Sequence, residues 1–324
     1  MKRKIMILCV LAVLGMLLLF PDSVSKGATD GLMLWFSIVF PALLPFMILS
    51  GVIVRMNITA TIGRLIYPLF HRILGVSESG CYPVVVGFLS GYPLGAKTVA
   101  DLCQSGKITG KEGQYLLSFC NNASPMFMLE YMGVYCIGLK KPWLVLLVVY
   151  GSGILNALFL KWMEGFRDKI RGKSHQGLGN LEEAYCKGLY CERKKQSLIS
   201  ALDDSILDSF VTLAKVGGYI ILFSIFAQLV EELLRLPALA KMLGLGIIEI
   251  TTGGEYIKTM DISLMEKWIA GCLFCGFGGF SSIAQTASVL QGSGLSMKRY
   301  IAAKISHALM AAALGIIIVR IIGL

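Results

Sequence analysis

The sequence is short of charge. Only 15% of its residues are Asp, Glu, Lys or Arg, against roughly 25% in an ordinary soluble domain. Apolar residues make up 56% and the mean hydropathy is +0.72. Water is therefore not the main solvent of this chain. Histidine is scarce as well, at three residues in 324, and two of these, His71 and His175, lie in or near polar sequence, which disfavours a histidine-based triad or metal site. There is no G-x-S-x-G, no H-E-x-x-H and no G-x-x-x-x-G-K-S/T loop. These absences remove the common hydrolase, zinc-protease and nucleotide-hydrolysing readings. No enzyme activity, metal or cofactor is expected, and transport driven by ATP hydrolysis would need a partner.

What the chain does have is long apolar runs. Ile5 to Phe20, Leu32 to Val54, Tyr115 to Leu139, Trp143 to Trp162, Ile206 to Val230 and Ile301 to Leu324 each approach the ~20 residues that span a bilayer. Continuous runs point to helices, because strands of a membrane barrel alternate in hydropathy. The net charge of +10 raises the question of nucleic acid, but nine of the thirty Lys and Arg residues sit in one polar stretch, Lys161 to Lys195. A cytoplasmic loop explains that cluster better, and no nucleic-acid partner is expected. The nine cysteines lie mostly in apolar runs, where Cys acts as a small hydrophobe. Cys272-x-x-Cys275 lacks the second pair that a zinc site needs.

Met1 to Lys4 followed by an apolar run also fits a signal peptide, but with many spans following, an uncleaved first helix is favoured. Positive charge places Met1 to Lys4 inside, Pro21 to Asp30 outside, and Arg55, Arg64, Arg72 and the Phe166 to Ser200 loop inside. Lys140, Lys141, Lys298 and Arg299 fall outside against the trend.

Two segments, Tyr82 to Cys103 and Ile269 to Leu290, are too short and too interrupted by Gly and Pro to cross simply. Laid on one another, Gly91 meets Gly279, Tyr92 meets Phe280, Ala96 meets Ala284, Lys97 meets Gln285, Thr98 meets Thr286, Leu102 meets Leu290, and Ser105-Gly106 meets Ser293-Gly294. A helix precedes each copy (Phe36 to Val54; Phe210 to Val230), then an amphipathic stretch (Gly63 to Leu74; Leu236 to Ile247). The expected architecture is an all-α polytopic membrane protein of two inverted-topology repeats, each containing a broken or re-entrant hairpin. The expected divisions are 1–30 (first helix and external loop), 31–139 (repeat 1), 140–165 (linking helix), 166–204 (cytoplasmic loop) and 205–324 (repeat 2).

In the broken segments Gly91, Pro93, Gly95, Gly278 and Gly279 let the backbone leave helical geometry, which survives at membrane depth only beside protein or a water-filled cavity. Helices restarting near Leu94 and Ser281 would aim their N–H groups into that cavity. Tight helix packing is the plainer explanation of the same glycines. Ionisable residues in apolar sequence are functional candidates: Lys97, Asp101, Lys215 and Lys304, with Thr98, Asn121, Asn122, Gln285, Thr286 and His307 as polar companions. Lys97 and Asp101, at i and i+4, can equally neutralise each other, and Lys215 can snorkel to the interface. Three lysines against one buried carboxylate, Asp101, would make a cationic cavity whose guest is a small anion, held by lysine charge and by directional Asn, Gln and Thr hydrogen bonds.

Gly87-Phe-Leu-Ser-Gly-Tyr-Pro-Leu-Gly-Ala-Lys97, Asn121-Asn-Ala-Ser-Pro125 and Lys215-Val-Gly-Gly218 together resemble the YlbJ family of sporulation integral membrane proteins, over most of the chain from about Phe36 to His307. That family belongs to a wider group carrying the nucleoside-transporter gate domain, shared with the membrane part of bacterial ferrous-iron transporters. The resemblance implies a protein of the outer forespore membrane that moves dipicolinic acid, a small aromatic dianion, from the mother cell toward the spore. A gate-domain permease for nucleosides or ions, and a sporulation scaffold docking through the basic loop, are the alternatives. The expected partners are the small anion and the lipid bilayer; a homo-oligomer or a second sporulation membrane protein is left open.

Overall fold

The structure, a computed structural model, describes residues 2–56, 58–170, 197–234 and 237–322. Its regular elements are all helical, and no strand occurs among the described residues. Helix α1 covers Lys2–Leu19. Helix α2, Pro21–Leu34, continues through a π-helical turn at Trp35–Val39 into α3, Phe40–Arg55. Then come α4 (Thr59–Leu74), α5 (Cys81–Ser90), α6 (Leu94–Gln104), α7 (Gly110–Leu117), a π-helix (Phe127–Ile137) and α8 (Trp143–Ile170). The second half holds α9 (Leu198–Leu233), α10 (Ala238–Ile248), α11 (Ile250–Thr259), α12 (Leu264–Phe277), α13 (Gly279–Val289) and α14 (Met297–Ile322). Residues 171–196, which carry most of the expected basic loop, lie outside the described residues.

By length and hydropathy, α8, α9, the α12–α13 pair and α14 are each able to cross a bilayer. Leu18, Phe36, Leu65, Trp162, Leu309 and Ile321 all point outward and are exposed. So much apolar surface facing away from the core requires lipid around it. The fold is thus that of an all-α polytopic membrane protein.

Two expectations need correction. Pro21 to Asp30 is helix rather than loop: Pro21 opens helix α2, where its missing N–H costs nothing, and Asp22 complements the positive end of the helix. This helix crosses the boundary set between residues 30 and 31. It lies against α9 because Gly27 and Gly31 present no side chain; a Cβ on either would come 2.8 Å from the Cα of Ile225 or Ile221. Replacing Gly31 with Leu is expected to push the two helices apart and cost about 1–3 kcal/mol, read as a lower unfolding temperature in detergent.

Tyr115 to Leu139, secondly, is not one span. Helix α7 stops at Leu117, residues 121–124 leave helical geometry, and the chain resumes as the π-helix. The residue before Pro125 is biased away from helix, and the segment has found a groove for its backbone, described below. After α9, the expected amphipathic stretch forms α10, and a further short helix, α11, follows it with Glu249 as its cap.

The two broken segments differ in shape. Helices α5 and α6 fold back on each other, bringing the Cα of Gly87 within 3.1 Å of a Cβ built on Gly95. Helices α12 and α13 instead take different neighbours: α12 runs along α14, and α13 lies against α9 and α10. The backbone at equivalent positions is nonetheless alike. Gly91 and Gly279 have φ of 80° and 78°, and Gly106 and Gly294 have φ of 67° and 73°. Ser105 Oγ donates to Leu102 O as Ser293 Oγ does to Leu290 O, at 3.2 and 2.6 Å.

Candidate functional site

Gly87, Gly91 and Gly95 are spaced at i, i+4 and i+8 around the tip of the α5–α6 hairpin. They leave a groove with no Cβ wall, and the irregular segment after α7 lies in it. A Cβ on Gly87 or Gly95 would fall 1.7 or 2.1 Å from the carbonyl oxygen of Cys120, and one on Gly91 would fall 2.5 Å from the N of Ser124. Across the groove the Tyr92 N–H donates to Asn122 O at 2.6 Å. Pro93 follows a cis peptide bond and is buried.

This segment delivers Asn121 and Asn122 to the protein's interior, both 1% exposed. Asn121 uses its whole amide. Oδ1 accepts from the Ala96 N–H at the start of α6 (3.2 Å), while Nδ2 donates to Thr286 Oγ1 on α13 (2.9 Å) and to the Tyr300 hydroxyl on α14 (2.8 Å). Asn122 Nδ2 donates to Phe119 O at 2.6 Å. Its Oδ1 accepts from Lys304 Nζ at 3.2 Å, and the same ammonium donates to Asn121 O at 3.3 Å. Lys304 is 1% exposed. Among the described residues no carboxylate pairs with it.

One turn further along α14, His307 Nε2 donates to Val149 O of α8 at 2.9 Å, and Asn156 of α8 donates to Ala303 O at 3.0 Å. Gly153 lets α8 approach the imidazole, since a Cβ there would stand 3.2 Å from Nε2. The two broken segments touch nearby: a Cβ on Gly278 would stand 3.6 Å from the Tyr92 ring. Parts from both halves of the chain therefore meet at one buried polar cluster, built from Asn121, Asn122, Thr286, Tyr300, Lys304 and His307.

Other expected site residues stand apart from it. Lys97 and Asp101 form their own i, i+4 ion pair at 3.0 Å, partly exposed. Lys215 is exposed on α9. The inward side of that helix there is taken by Leu213 and Gly217: the Trp35 indole donates to Leu213 O at 3.0 Å and lies where a Gly217 Cβ would be. Lys215, set between those two positions, turns outward. One lysine rather than three thus occupies the interior. Thr98 bonds the carbonyl of Leu94 in its own helix, and Gln285 donates to Ser281 Oγ at 3.1 Å. The first N–H groups of α6 do not open into a cavity; they bond Gly91 O, Asn121 Oδ1 and Pro93 O.

Two residues were missed by sequence reasoning. Tyr300 carries no signal in sequence beyond its place near the start of the last helix. Glu249 is 2% exposed and corrects the view that Asp101 is the sole buried carboxylate. Its Oε2 accepts from the N–H groups of Thr251 and Thr252 at 2.8 and 2.9 Å, and from the Thr251 hydroxyl, beside the break at Gly279. A lone acid inside Gly-Ile-Ile-Glu-Ile was the available sign. Cys272 and Cys275 are fully buried packing residues of the core shared by α8, α12 and α14.

Among curated proteins, the sporulation integral membrane protein YlbJ of Bacillus subtilis (strain 168) is 30% identical over 313 residues, covering 90% of this chain and 76% of that protein. No family model and no solved structure matches the chain.

Proposed function

Because the chain belongs to the family of the sporulation integral membrane protein YlbJ, we propose that it is a permease for a small organic anion, dipicolinate carried across the outer forespore membrane from mother cell to forespore. The observation behind this reading is Lys304: a lysine side chain 1% exposed, bonded among the described residues to two neutral oxygens and to no carboxylate, where both broken segments converge. A buried cation without a counter-ion is costly and is kept where it has work to do. An arriving carboxylate is a stronger acceptor than the carbonyl of Asn121 or the amide of Asn122. It exchanges with them at Nζ, and so releases the grip of α14 on the segment from Asn121 to Ser124. Loosening that grip lets the half containing α5 and α6 rock against the half containing α12, α13 and α14, which are read as inverted repeats around a fixed site. The shared glycine geometry of the two breaks supports that reading.

The test is uptake of labelled dipicolinate into liposomes holding the purified protein, with a nucleoside as competitor. Uptake indifferent to nucleoside supports the anion permease. Nucleoside competition moves the substrate to the gate-domain alternative, and no uptake by folded protein leaves the scaffold reading. Lys215→Ala is expected to retain uptake within about twofold, as an exposed substitution away from the cluster should. A large loss in this variant would return Lys215 to the site.

A further inference from the structure

Every polar atom of the Asn121 amide is matched, but His307 is only half satisfied. A carbonyl can only accept, so the bond from Nε2 to Val149 O fixes the tautomer: the ring proton is on Nε2, and Nδ1 carries a lone pair. Nδ1 is buried, without a hydrogen-bond partner among the described residues. A purely structural histidine would not leave a buried acceptor unmatched, because doing so is costly. Three residues earlier on the same helix, and hence on the same face, Lys304 has two acceptors for an ammonium that has three donors.

The titratable groups facing the pair are few. They are the Cys120 thiol from the irregular segment, the Cys275 thiol from α12, and the Tyr300 phenol on α14 itself. Helix α8 presents Gly153 and Asn156, and α13 presents Thr286 through Asn121. No carboxylate bonds either residue of the pair among the described residues. Two cations three residues apart on one helix face, in a site of low dielectric, repel each other, which favours one proton on Lys304 and His307 together over two.

We infer that Lys304 and His307 together are a proton-carrying site, so that the anion crosses with a proton taken from water. The inference rests on the permease reading. On the loading side the Lys304 ammonium pairs with one charge of the anion. When the anion leaves, an N–H bond at Nζ breaks and one forms at Nδ1 of His307. The imidazolium then returns that proton to water on the far side, while the Nε2 proton stays on the ring, donated to the Val149 carbonyl. Lys304, left neutral, regains its proton when an O–H bond of hydronium breaks on the loading side and an N–H bond forms at Nζ; nothing is oxidised or reduced, and both side chains end as they began.

The experiment uses the full chain in liposomes with the membrane potential clamped. The pH is kept above the carboxylate range on both sides, so that dipicolinate stays a dianion throughout. Making the interior one pH unit more alkaline is expected to raise accumulation about tenfold for one proton per anion, and a pH dye inside should record acidification when substrate is added. In His307→Gln, whose side-chain amide can still donate to Val149 but cannot take up a proton, the ratio of accumulation with and without the gradient should fall to about one. A wild-type protein that exchanges labelled for unlabelled dipicolinate, yet gives no dye signal and no response to the gradient, would overturn the inference and leave the permease standing. Absence of exchange overturns the permease and the inference with it. A gradient response retained in His307→Gln removes His307 from the site; if that variant does not fold, the dye signal of the wild type decides.

Discussion

Lys304→Met is expected to lower dipicolinate uptake at least about 30-fold, the lower range for removing one partner of a buried charged pair, while the protein still folds. Methionine is unbranched like lysine and one atom shorter, and it follows the same path between α14 and the Asn121–Ser124 segment. Its sulfur cannot donate, so Asn121 O and Asn122 Oδ1 each lose a partner, at about 1–3 kcal/mol apiece. Against this, a cation without a counter-ion is removed from the interior, a change that is often neutral or stabilising by about 1–4 kcal/mol. The two effects oppose each other, and stability should stay close to that of the parent. Uptake and unfolding temperature, measured on one preparation, separate the roles. Wild-type uptake in a folded Lys304→Met protein would mean that the anion never engages this residue. A protein that fails to fold would instead make Lys304 a structural element of the cluster.

Among the described glycines, Gly87→Ala should be the most damaging single added methyl group. The added carbon would sit 1.7 Å from the carbonyl oxygen of Cys120 and 2.7 Å from its carbon. Both are backbone atoms, so no rotamer change relieves the collision. Either the α5–α6 hairpin opens or the segment carrying Asn121 lifts away and takes the bonds to Ala96, Thr286, Tyr300 and Lys304 with it. A cost of about 3 kcal/mol or more is expected, a large part of the 5–15 kcal/mol that holds a typical domain together. The result would be seen as loss of the monodisperse peak in size-exclusion chromatography of detergent extracts. Gly110→Ala is the control. A Cβ there meets nothing within 4 Å, and in the first turn of α7 alanine should be neutral or stabilising by up to about 1 kcal/mol. Equal behaviour of the two variants would show that the glycine groove does not hold the segment closely.

Much of the architecture follows from local sequence. Hydropathy is a sum over neighbouring residues, so the helices from Trp143, Leu198 and Met297 are visible as apolar runs. The interruptions at Gly91 and Gly278–Gly279 are visible for a similar reason: a positive φ is a property of one residue's own backbone. The ion pair of Lys97 and Asp101 was also within reach, because four residues along a helix is a contact whatever surrounds it.

Direction and partnership were decided elsewhere. Lys215 and Lys304 look alike in sequence, each a lone cation in an apolar helix. What turns Lys215 outward is Trp35, distant in the chain, occupying the inner side of α9, and what encloses Lys304 is an asparagine pair from the other half. Tyr115 to Leu139 shows the same limit from the opposite side. Its hydropathy is that of a membrane span, yet residues 121–124 give up helical bonds because three glycines on a separate hairpin open a groove for their backbone. The sequence by itself determined that this chain lives in lipid, that it is helical, and that it breaks at Gly91 and at Gly278–Gly279, since these depend on composition and on neighbours a few residues away. The tertiary structure alone decided which polar residues meet, because a side chain's surroundings are set by what packs against its helix, and for Lys215 and Lys304 those contacts come from segments more than a hundred residues distant.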